Sequence, residues 1–246
     1  MAKPDERLPF TLHLVELRKR LINCVIAVGI GFGIAYFYSK EAFDFMSRPL
    51  IDAMPQGNAF MVFTGVIEPF FTYLKIALIC GIFLASPVIF YQIWLFISPG
   101  LYEKERSWAL PIVMSATILF IGGATFGYYI VFPVGFKYFL SYATDSLKPM
   151  LSMNEYFSFV AKFLLAFGIV FEMPLLIFFL AKIGIVDVKM LTQYRKYAVL
   201  LIFVVAAILT PTPDAFSQLL MAAPMLVLYE VGIILARLFG KKKVEE

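Results

Sequence analysis

The chain has 246 residues, of which 61% are hydrophobic and only 15% are charged, and its formal net charge is +4. A soluble domain averages about 45–50% apolar and about 25% charged residues, so a chain of this size has too little interior to hide its apolar surface from water. The composition therefore excludes an ordinary soluble domain and predicts an all-α polytopic membrane protein.

Six apolar runs follow one another along the chain, and an apolar helix needs roughly 17–25 residues to cross a bilayer. The spans are predicted at about residues 21–38, 69–97, 108–134, 157–181, 198–210 and 216–236. They make residues 1–246 a single integral membrane domain that ends in a basic tail at 237–246. No small-residue cleavage site follows the first run, so we expect no cleavable signal peptide.

The fifth run is shorter than a usual span. It is either a re-entrant segment or a short span that forms a hairpin with the sixth run. If all six runs cross, fifteen of the 21 Lys and Arg residues lie on the side of the termini and four on the other side, while Lys75 and Lys162 lie inside runs. Cytoplasmic loops carry the excess of Lys and Arg. We therefore predict six crossings with both termini in the cytoplasm.

Small residues and prolines inside the apolar runs affect how the predicted helices pack and bend. Gly29 with Gly33, and Gly123 with Gly127, match G-x-x-x-G, which we interpret as close helix packing. Prolines within the predicted spans can bend the helices into a concave wall, or they can be ordinary prolines of membrane helices. These prolines are Pro87, Pro111, Pro133, Pro174 and Pro224.

The residue inventory does not point to an enzyme. One His and two Cys cannot build a typical zinc site, and Cys24 and Cys80 both lie inside apolar runs. The sequence contains no P-loop and no G-x-S-x-G motif. We therefore predict no catalytic residues, no metal and no cofactor.

The first charged motif is HLVELRKR at residues 13–20, just before the first span. Continued as a helix, it places Glu16 and Arg20 four residues apart on one face. One interpretation is an i,i+4 ion pair beside a basic anchor for lipid head groups. The alternative is that Glu16, an acid among basic residues at the membrane surface, accepts a cation.

The loop SPGLYEKERSW at 98–108 carries Glu103 and Glu105 on the predicted cytoplasmic side, where basic residues are favoured. In one interpretation, Lys104 and Arg106 neutralise these acids in a solvated turn, although sequence neighbours in a helix do not face each other. In the other, the carboxylates bind a cation, and a guanidinium group is their strongest common side-chain partner.

Glu172 lies near the middle of the fourth run, two residues before Pro174. An ionisable group at that depth costs several kcal/mol when it is charged and unpaired, so a functional role is the default hypothesis. The alternative is an acid that carries its proton and is hydrogen-bonded within the bundle.

Further along, TPTPDAFSQ at 210–218 predicts a turn in which Asp214 caps the sixth helix, and it leaves the Gln218 amide in need of a partner.

Four strings resemble, in this order, the TatC family, the multispanning receptor of the twin-arginine protein translocase: HLVELRKR, ASPVIFYQIWLFISPGLYEKER, FGIVFEMP and TPDAFSQLLMAAPMLVLYE. The resemblance covers about residues 11–239, including the order and spacing of the spans. It implies a concave, glove-like bundle of six transmembrane helices in the bacterial or archaeal cytoplasmic membrane, with both termini in the cytoplasm. The TPTPD turn looks one residue longer than the family's usual turn, so either Thr210 or Thr212 matches its threonine.

The resemblance also implies what the charged motifs bind. Proteins like TatC bind signal peptides that carry an Arg-Arg pair and precede folded cargo. Matched string by string, Glu105 and Glu16 become the arginine acceptors, Phe96 part of the recognition patch, and Glu103 a looser candidate.

The other matched positions lie in or beyond the membrane. Glu172 matches the family's intramembrane acid. Thr210 and Gln218 match a polar patch that contacts the single-span partners TatA and TatB. Pro49, in the first extracytoplasmic loop, matches a functionally sensitive position, and that loop is also interpretable as an amphipathic cap on the bundle.

Together these features predict a non-enzymatic receptor within a multimeric, lipid-embedded export complex, with no nucleic-acid partner. Because the sequence has no nucleotide motif, the energy must come from elsewhere, and the resemblance implies the proton-motive force. The alternative is a proton-coupled secondary transporter that uses Glu172 to move a small solute. The weakly polar spans and the absence of evident internal repeats count against that alternative.

Overall fold

The computed structural model describes residues 10–54, 61–97, 109–144, 149–210 and 214–240, with the side chains of residues 10–12 excepted. Most of this part of the chain is helical, because a helix satisfies its backbone hydrogen bonds internally, as a bilayer requires. The helices are α1 Phe10–Phe37, α2 Ser39–Ile51, α3 Glu68–Ile97, α4 Ala109–Phe126, α5 Phe132–Leu140, α6 Met153–Phe171, α7 Met173–Ile183, α8 Val188–Gln193, α9 Arg195–Leu209 and α10 Ala215–Phe239.

Five helical stretches of the described chain are long and apolar enough to cross a membrane. They are His13–Phe37, Glu68–Ile97, Ala109–Leu140, Met153–Ile183 and Ala215–Phe239. Each contains most or all of one predicted span, and the all-α polytopic fold class is confirmed. The fifth predicted run is α9, a helix of 15 residues. Its crossing of the bilayer, and with it the count of six spans, stays a prediction.

Two of the long stretches change geometry part-way. A π-helical turn, Gly127–Val131, joins α4 to α5, and Pro133 lies in the first turn of α5. Glu172 is the single residue between α6 and α7, and Pro174 follows it in the first turn of α7. Proline has no backbone N–H to donate, so it removes one hydrogen bond of the helix. Each of the two breaks therefore lies beside a proline that already interrupts the regular hydrogen bonding of the helix.

Helix α1 lies at the edge of the bundle. It packs along α3, whereas α3 also contacts α2, α4 and α6. In the most apolar 18-residue segment of α1 only 11% is buried, against 44% in the corresponding segment of the stretch that contains α6 and α7. Aromatic side chains fill the centre, and Phe157 and Phe167 of α6 are among the most deeply buried. One long side of α1 therefore faces lipid or a partner.

The prediction of close packing at the two G-x-x-x-G pairs is confirmed within the chain for Gly123 and Gly127, whereas Gly29 and Gly33 have no close neighbour in the described chain. A Cβ added at Gly123 would collide with the Phe167 carbonyl, and one at Gly127 would lie 3.2 Å from the Phe167 ring. At Gly29 and Gly33, by contrast, a Cβ would meet no atom of the described chain within 4 Å.

The glycine of α1 that does make a close contact is Gly31. A Cβ there would lie 2.6 Å from the carbonyl oxygen of Gly81 on α3. The face of α1 that carries Gly31 is turned towards α3, so the flanking Gly29 and Gly33 are left on the open side. Small residues let two helices approach closely, but the spacing does not say which face meets a neighbour.

The two ends of the bundle carry different elements. The N-terminal face holds the start of α1 and the end of α3. The opposite face holds α2 and two short strands, β1 Met61–Val62 and β2 Leu151–Ser152. These strands pair in parallel, with Met61 opposite Leu151 and Val62 opposite Ser152, and they tie the segment before α3 to the segment before α6.

Candidate functional site: the N-terminal face

The N-terminal face brings α1 and α3 together in antiparallel register. The imidazole of His13 stacks on the ring of Phe96, with ring centroids 4.4 Å apart and an interplanar angle of 29°. Further into α1, Arg20 reaches Gln92, one turn back from Phe96 on α3. Two residues predicted for signal-peptide binding, Glu16 and Phe96, therefore lie on the same patch.

Within this patch, Glu16 is paired with an arginine of its own helix. Its Oε1 lies 3.0 Å from a terminal nitrogen of Arg20, and the two side chains are 25% and 24% exposed. The Arg20 guanidinium also donates to the Gln92 side-chain oxygen at 3.4 Å, and Asn23 donates to that same oxygen at 3.4 Å. The i,i+4 ion pair that the spacing indicates is confirmed, and α3 helps to hold it.

Glu103 and Glu105 lie outside the described residues. In the sequence they lie between the last residue of α3, Ile97, and the first residue of α4, Ala109. The part that these two acids play in the site stays a prediction.

Glu172 marks the break between α6 and α7. Its Oε1 is buried and has no hydrogen-bond partner in the part of the chain that the structure describes. Its backbone still serves both helices, since its N–H donates to Ile169 and its carbonyl accepts from Leu176. The acid thus lies within a helix interruption, far in sequence from Glu16, and one of its carboxyl oxygens lacks a described partner.

The hairpin between α9 and α10 holds Thr210, Asp214 and Gln218. The predicted cap is confirmed, because the Asp214 carboxylate accepts from the Ser217 N–H at 2.8 Å. The Gln218 side-chain amide donates to the Phe203 carbonyl at 3.0 Å, so it has a partner within the hairpin itself. Thr210 directly follows the last residue of α9, and its hydroxyl donates to the Ala207 carbonyl at 3.4 Å.

Pro49 lies buried inside α2 on the opposite face. Proline cannot donate the helical hydrogen bond to the residue four positions earlier, so it frees the carbonyl of Phe45. The hydroxyl of Tyr128 donates to that carbonyl, and the hydroxyl of Tyr156 donates to the Met46 carbonyl at 2.7 Å. Two buried tyrosines, one from the π-helical turn and one from the start of α6, therefore hold α2 in place, which agrees with its interpretation as a cap.

Glu68, at the start of α3, is the main polar centre that the sequence did not predict. Its Oε2 accepts from the N–H of Thr64 at 2.7 Å, from the Thr64 hydroxyl at 3.1 Å and from the N–H of Gly65 at 3.2 Å. Its Oε1 accepts from the hydroxyl of Ser152 at 3.1 Å and from the N–H of Asn154 at 2.9 Å. The five bonds hold the segments around β1 and β2 together, and we call this group the Glu68 clasp.

The lysine inside the second run lies next to the Glu68 clasp. The ammonium of Lys75 donates to the Asn154 side-chain oxygen and, at 2.8 Å, to the hydroxyl of Ser158. Both partners are on α6, so an intramembrane cation is satisfied by the neighbouring helix. The sequence shows only one sign of the clasp, which is an acid at the start of an apolar run. The partners of Glu68 on β2 and α6 are more than 80 residues away.

Comparison with known proteins decides the family. Residues 12–224 match the family model described as "Sec-independent protein translocase protein (TatC)". The chain belongs to the TatC family. It is 51% identical over 243 residues to the TatC protein of Desulforapulum autotrophicum, covering 99% of this chain and 89% of that protein. It is 41% identical to the TatC protein of Haemophilus influenzae, covering 100% and 95% of the two chains.

Solved structures of the TatC family share the fold. A crystal structure of the twin-arginine translocase receptor TatC has a TM-score of 0.81 and 40% sequence identity, and the match covers 92% of this chain and 98% of that one. A second crystal structure of TatC, in the detergent DDM, has a TM-score of 0.82. As a TatC-family member with several membrane-length helices, the chain is a multi-pass membrane protein of the Sec-independent protein translocase.

Proposed function

We propose that this chain is the signal-peptide receptor of a twin-arginine translocase and that it binds the Arg-Arg pair at the N-terminal face, in the cytoplasm. The observation that carries the proposal is the placement of Glu16 and Phe96 on one patch, where α1 and α3 meet. Glu103 and Glu105 follow α3 directly in the sequence and would add carboxylates to the same face. A carboxylate recognises a guanidinium through two parallel hydrogen bonds, which a lysine ammonium cannot reproduce.

The aromatic pair suits the apolar part of such a peptide. The Phe96 ring is partly buried and is covered on one side by His13. A ring fixed by stacking offers a rigid surface beside the acid, at low cost in side-chain entropy. The signal peptide would therefore meet charge at Glu16 and apolar surface at Phe96 within one contact.

Partner recruitment is assigned to the α9–α10 hairpin. Thr210 and Gln218 both lie in this hairpin, beside the turn between its helices, and Gln218 is already anchored to Phe203. An anchored amide presents a fixed polar surface to a neighbouring helix, which suits single-span subunits of the TatA and TatB type. Transport would draw on the proton-motive force. Both termini would lie in the cytoplasm of a bacterium or archaeon. Several copies of the chain would assemble in one complex.

Glu172 also suits the alternative of a proton-coupled solute transporter, because one of its carboxyl oxygens is buried without a partner in the described chain. Membership of a protein translocase family counts against that alternative. Under the receptor proposal, the same acid is a polar point at the α6–α7 break that partner subunits or the translocating chain contact.

The proposal is tested by equilibrium binding to the full chain in lipid nanodiscs. A labelled twin-arginine signal peptide is compared with the same peptide carrying Lys-Lys, on the wild type and on Glu16→Ala, Phe96→Ala and Glu155→Ala. The proposal expects a clear preference for the Arg-Arg peptide, which Glu16→Ala and Phe96→Ala reduce. Glu155 is an exposed acid in the first turn of α6, so Glu155→Ala is the control and should bind like the wild type. Equal binding of the two peptides by the wild type would contradict the receptor role.

A further inference from the structure

A cavity of about 540 Å³ lies between the end of α1, the cap helix α2 and the middle parts of α3 and α4. Ala42 and Phe45 of α2 cover one end of it, and Leu164 of α6 lies at its buried side. Two tyrosines of the lining, Tyr38 and Tyr129, are 64% and 62% exposed. The cavity is therefore open on one side of the bundle, at the depth of the membrane spans.

The wall of this cavity offers almost no polar group to an occupant. The hydroxyl of Thr125 donates to the Ile121 carbonyl at 2.7 Å, and the hydroxyl of Tyr128 donates to the Phe45 carbonyl. The remaining polar atom of the inner wall is the weakly polar thiol of Cys80. Because a bound water needs roughly 2–4 polar partners, the cavity suits an apolar group and not a water cluster.

The shape of the cavity favours a lipid chain over a protein segment. Along α4 and the π-helical turn, the lining runs from Ile121 to Tyr129, which is about 12 Å and slightly less than half of the roughly 30 Å hydrocarbon core. Since α2 covers one end, a helix that crosses both leaflets cannot lie along it. Fifteen residues line the cavity, fewer than the roughly 20–30 that a specific protein interface uses on each side.

The charges beside the cavity match a head group that carries both signs. Arg48 lies one turn beyond Phe45 on α2, and it is close enough to the Tyr128 hydroxyl to act on it electrostatically, as is Asp52. Arg48 is exposed and forms no ion pair within the described residues, and the exposed acids Asp44 and Asp52 lie four residues to either side of it. A guanidinium binds a phosphate and a carboxylate binds an ammonium, whereas a purely anionic head group would leave these acids without a partner.

We propose that the cavity is a binding site for one zwitterionic phospholipid, with an acyl chain inside it and the head group beside α2. Arg48 binds the phosphate, and Asp44 or Asp52 accepts a hydrogen bond from the ammonium. The exposed Tyr38 and Tyr129 suit the boundary between hydrocarbon and head groups, where tyrosine is enriched. This site is separate from the signal-peptide patch and does not depend on the function proposed for that patch.

The bound lipid would fill a space that the helices themselves leave open. Both α1 and α4 pack on α3, and the cavity lies between them beneath α2. A ligand that binds only the folded chain stabilises that chain. The lipid would therefore help to hold the cap helix over the bundle.

The experiment is native mass spectrometry of the purified full chain in detergent, which measures the Kd of each added lipid. Phosphatidylethanolamine is compared with phosphatidylglycerol of the same acyl chains. The wild type should bind one phosphatidylethanolamine more tightly than any further copy and more tightly than phosphatidylglycerol. Arg48→Gln should weaken this first step by about tenfold, the amount that one charge-assisted hydrogen bond provides. Ala42→Phe, which fills the cavity from α2, should remove the tight step.

Two variants serve as matched controls and should bind like the wild type. Lys137→Gln removes an exposed positive charge from α5, and Ala207→Phe adds the same ring to an exposed alanine of α9. A wild-type Kd in Arg48→Gln or in folded Ala42→Phe would overturn the inference, and so would equal affinity for the two lipids. Because Arg48 is exposed, Arg48→Gln should fold even if Ala42→Phe does not.

A protein occupant of the cavity would give a different pattern in the same measurement. If a second copy of the chain or a signal peptide fills the cavity, Ala42→Phe should change the number of copies in the spectra or reduce peptide binding. The Kd for phosphatidylethanolamine would then stay at the wild-type value. That result would overturn the assignment of the cavity to a phospholipid.

Discussion

The hydroxyl of Tyr128 donates a hydrogen bond to the backbone carbonyl of Phe45, the helical acceptor that Pro49 leaves without a donor. The contact joins the π-helical turn between α4 and α5 to the cap helix α2. It gives a physical reason for a proline at this point, because a residue with a backbone N–H would compete with Tyr128 for the same oxygen.

This relationship predicts coupling between the two side chains. Tyr128→Phe should lower the free energy of unfolding by about 1–2 kcal/mol, since it leaves a carbonyl without its donor. In a Pro49→Ala background the backbone N–H of residue 49 can supply that bond, so the same substitution should cost about 1 kcal/mol less. Denaturant unfolding in detergent measures the cycle, with Tyr129→Phe as the control on an exposed neighbour. Equal costs of Tyr128→Phe in both backgrounds would show that Pro49 does not create the acceptor.

The Glu68 clasp predicts a local effect on the opposite face. Glu68→Gln replaces an acceptor of five hydrogen bonds by a group with half the acceptor capacity, and its amide opposes one set of donors. Hydrogen exchange at the amides of Thr64, Gly65 and Asn154 should then become faster. Glu155→Gln, which changes an exposed acid nearby, should leave these rates alone. Unchanged exchange in Glu68→Gln would mean that the strand pair holds without the clasp.

Glu172 is expected to act as a neutral hydrogen-bonding group. An unpaired charge at membrane depth costs several kcal/mol, and Oε1 has no partner in the described chain. Glu172→Gln should therefore keep most export of a folded precursor into membrane vesicles, while Glu172→Ala should reduce it strongly at equal protein level. Loss of export in Glu172→Gln would instead show that the ionised form or proton transfer is required.

The topology depends on the short helix α9. A reporter fused after Lys243 should report the cytoplasm, and one inserted at Asp214 should report the outside. The reason is the distribution of Lys and Arg, which favours both termini inside only when all six runs cross. A cytoplasmic signal at Asp214 would show that α9 does not cross and that the chain has a re-entrant segment there.

Features that depend on neighbouring residues were predictable from the sequence. The long spans were found because an apolar run of membrane length is a local property, and each described stretch contains most or all of its predicted run. The cap at Asp214 and the pair of Glu16 with Arg20 were found because both partners lie within four residues. The pair alone does not show whether Glu16 also accepts an arginine from a peptide, and that stays a prediction.

Features that depend on distant residues were not predictable. Gln92 holds Arg20 across 72 positions, and Asn154 meets Glu68 across 86, so no spacing rule connects them. The Gly29 and Gly33 pair does not face α3 for a related reason, because a small-residue spacing does not reveal which side of α1 meets that helix. A single sequence carries the composition of each helix face but not the identity of the neighbour that covers it.

The central claim is that carboxylates at the N-terminal face bind the Arg-Arg pair, and a charge swap at Glu105 tests it most directly. A charge-assisted hydrogen bond contributes about 1.5–3 kcal/mol, so Glu105→Ala should weaken binding of the twin-arginine peptide by roughly ten- to a hundredfold. Glu16→Ala should weaken it by a comparable or smaller factor, and Glu103→Ala by less.

The decisive variant is Glu105→Lys, measured by peptide binding to the full chain in nanodiscs. It should abolish binding of the Arg-Arg peptide, because like charges meet where opposite charges paired. A peptide with Glu in place of one arginine should regain part of the binding, and raised salt should weaken the wild-type interaction. Binding of the Arg-Arg peptide by Glu105→Lys at wild-type strength would contradict the account and leave the loop acids as a solvated turn.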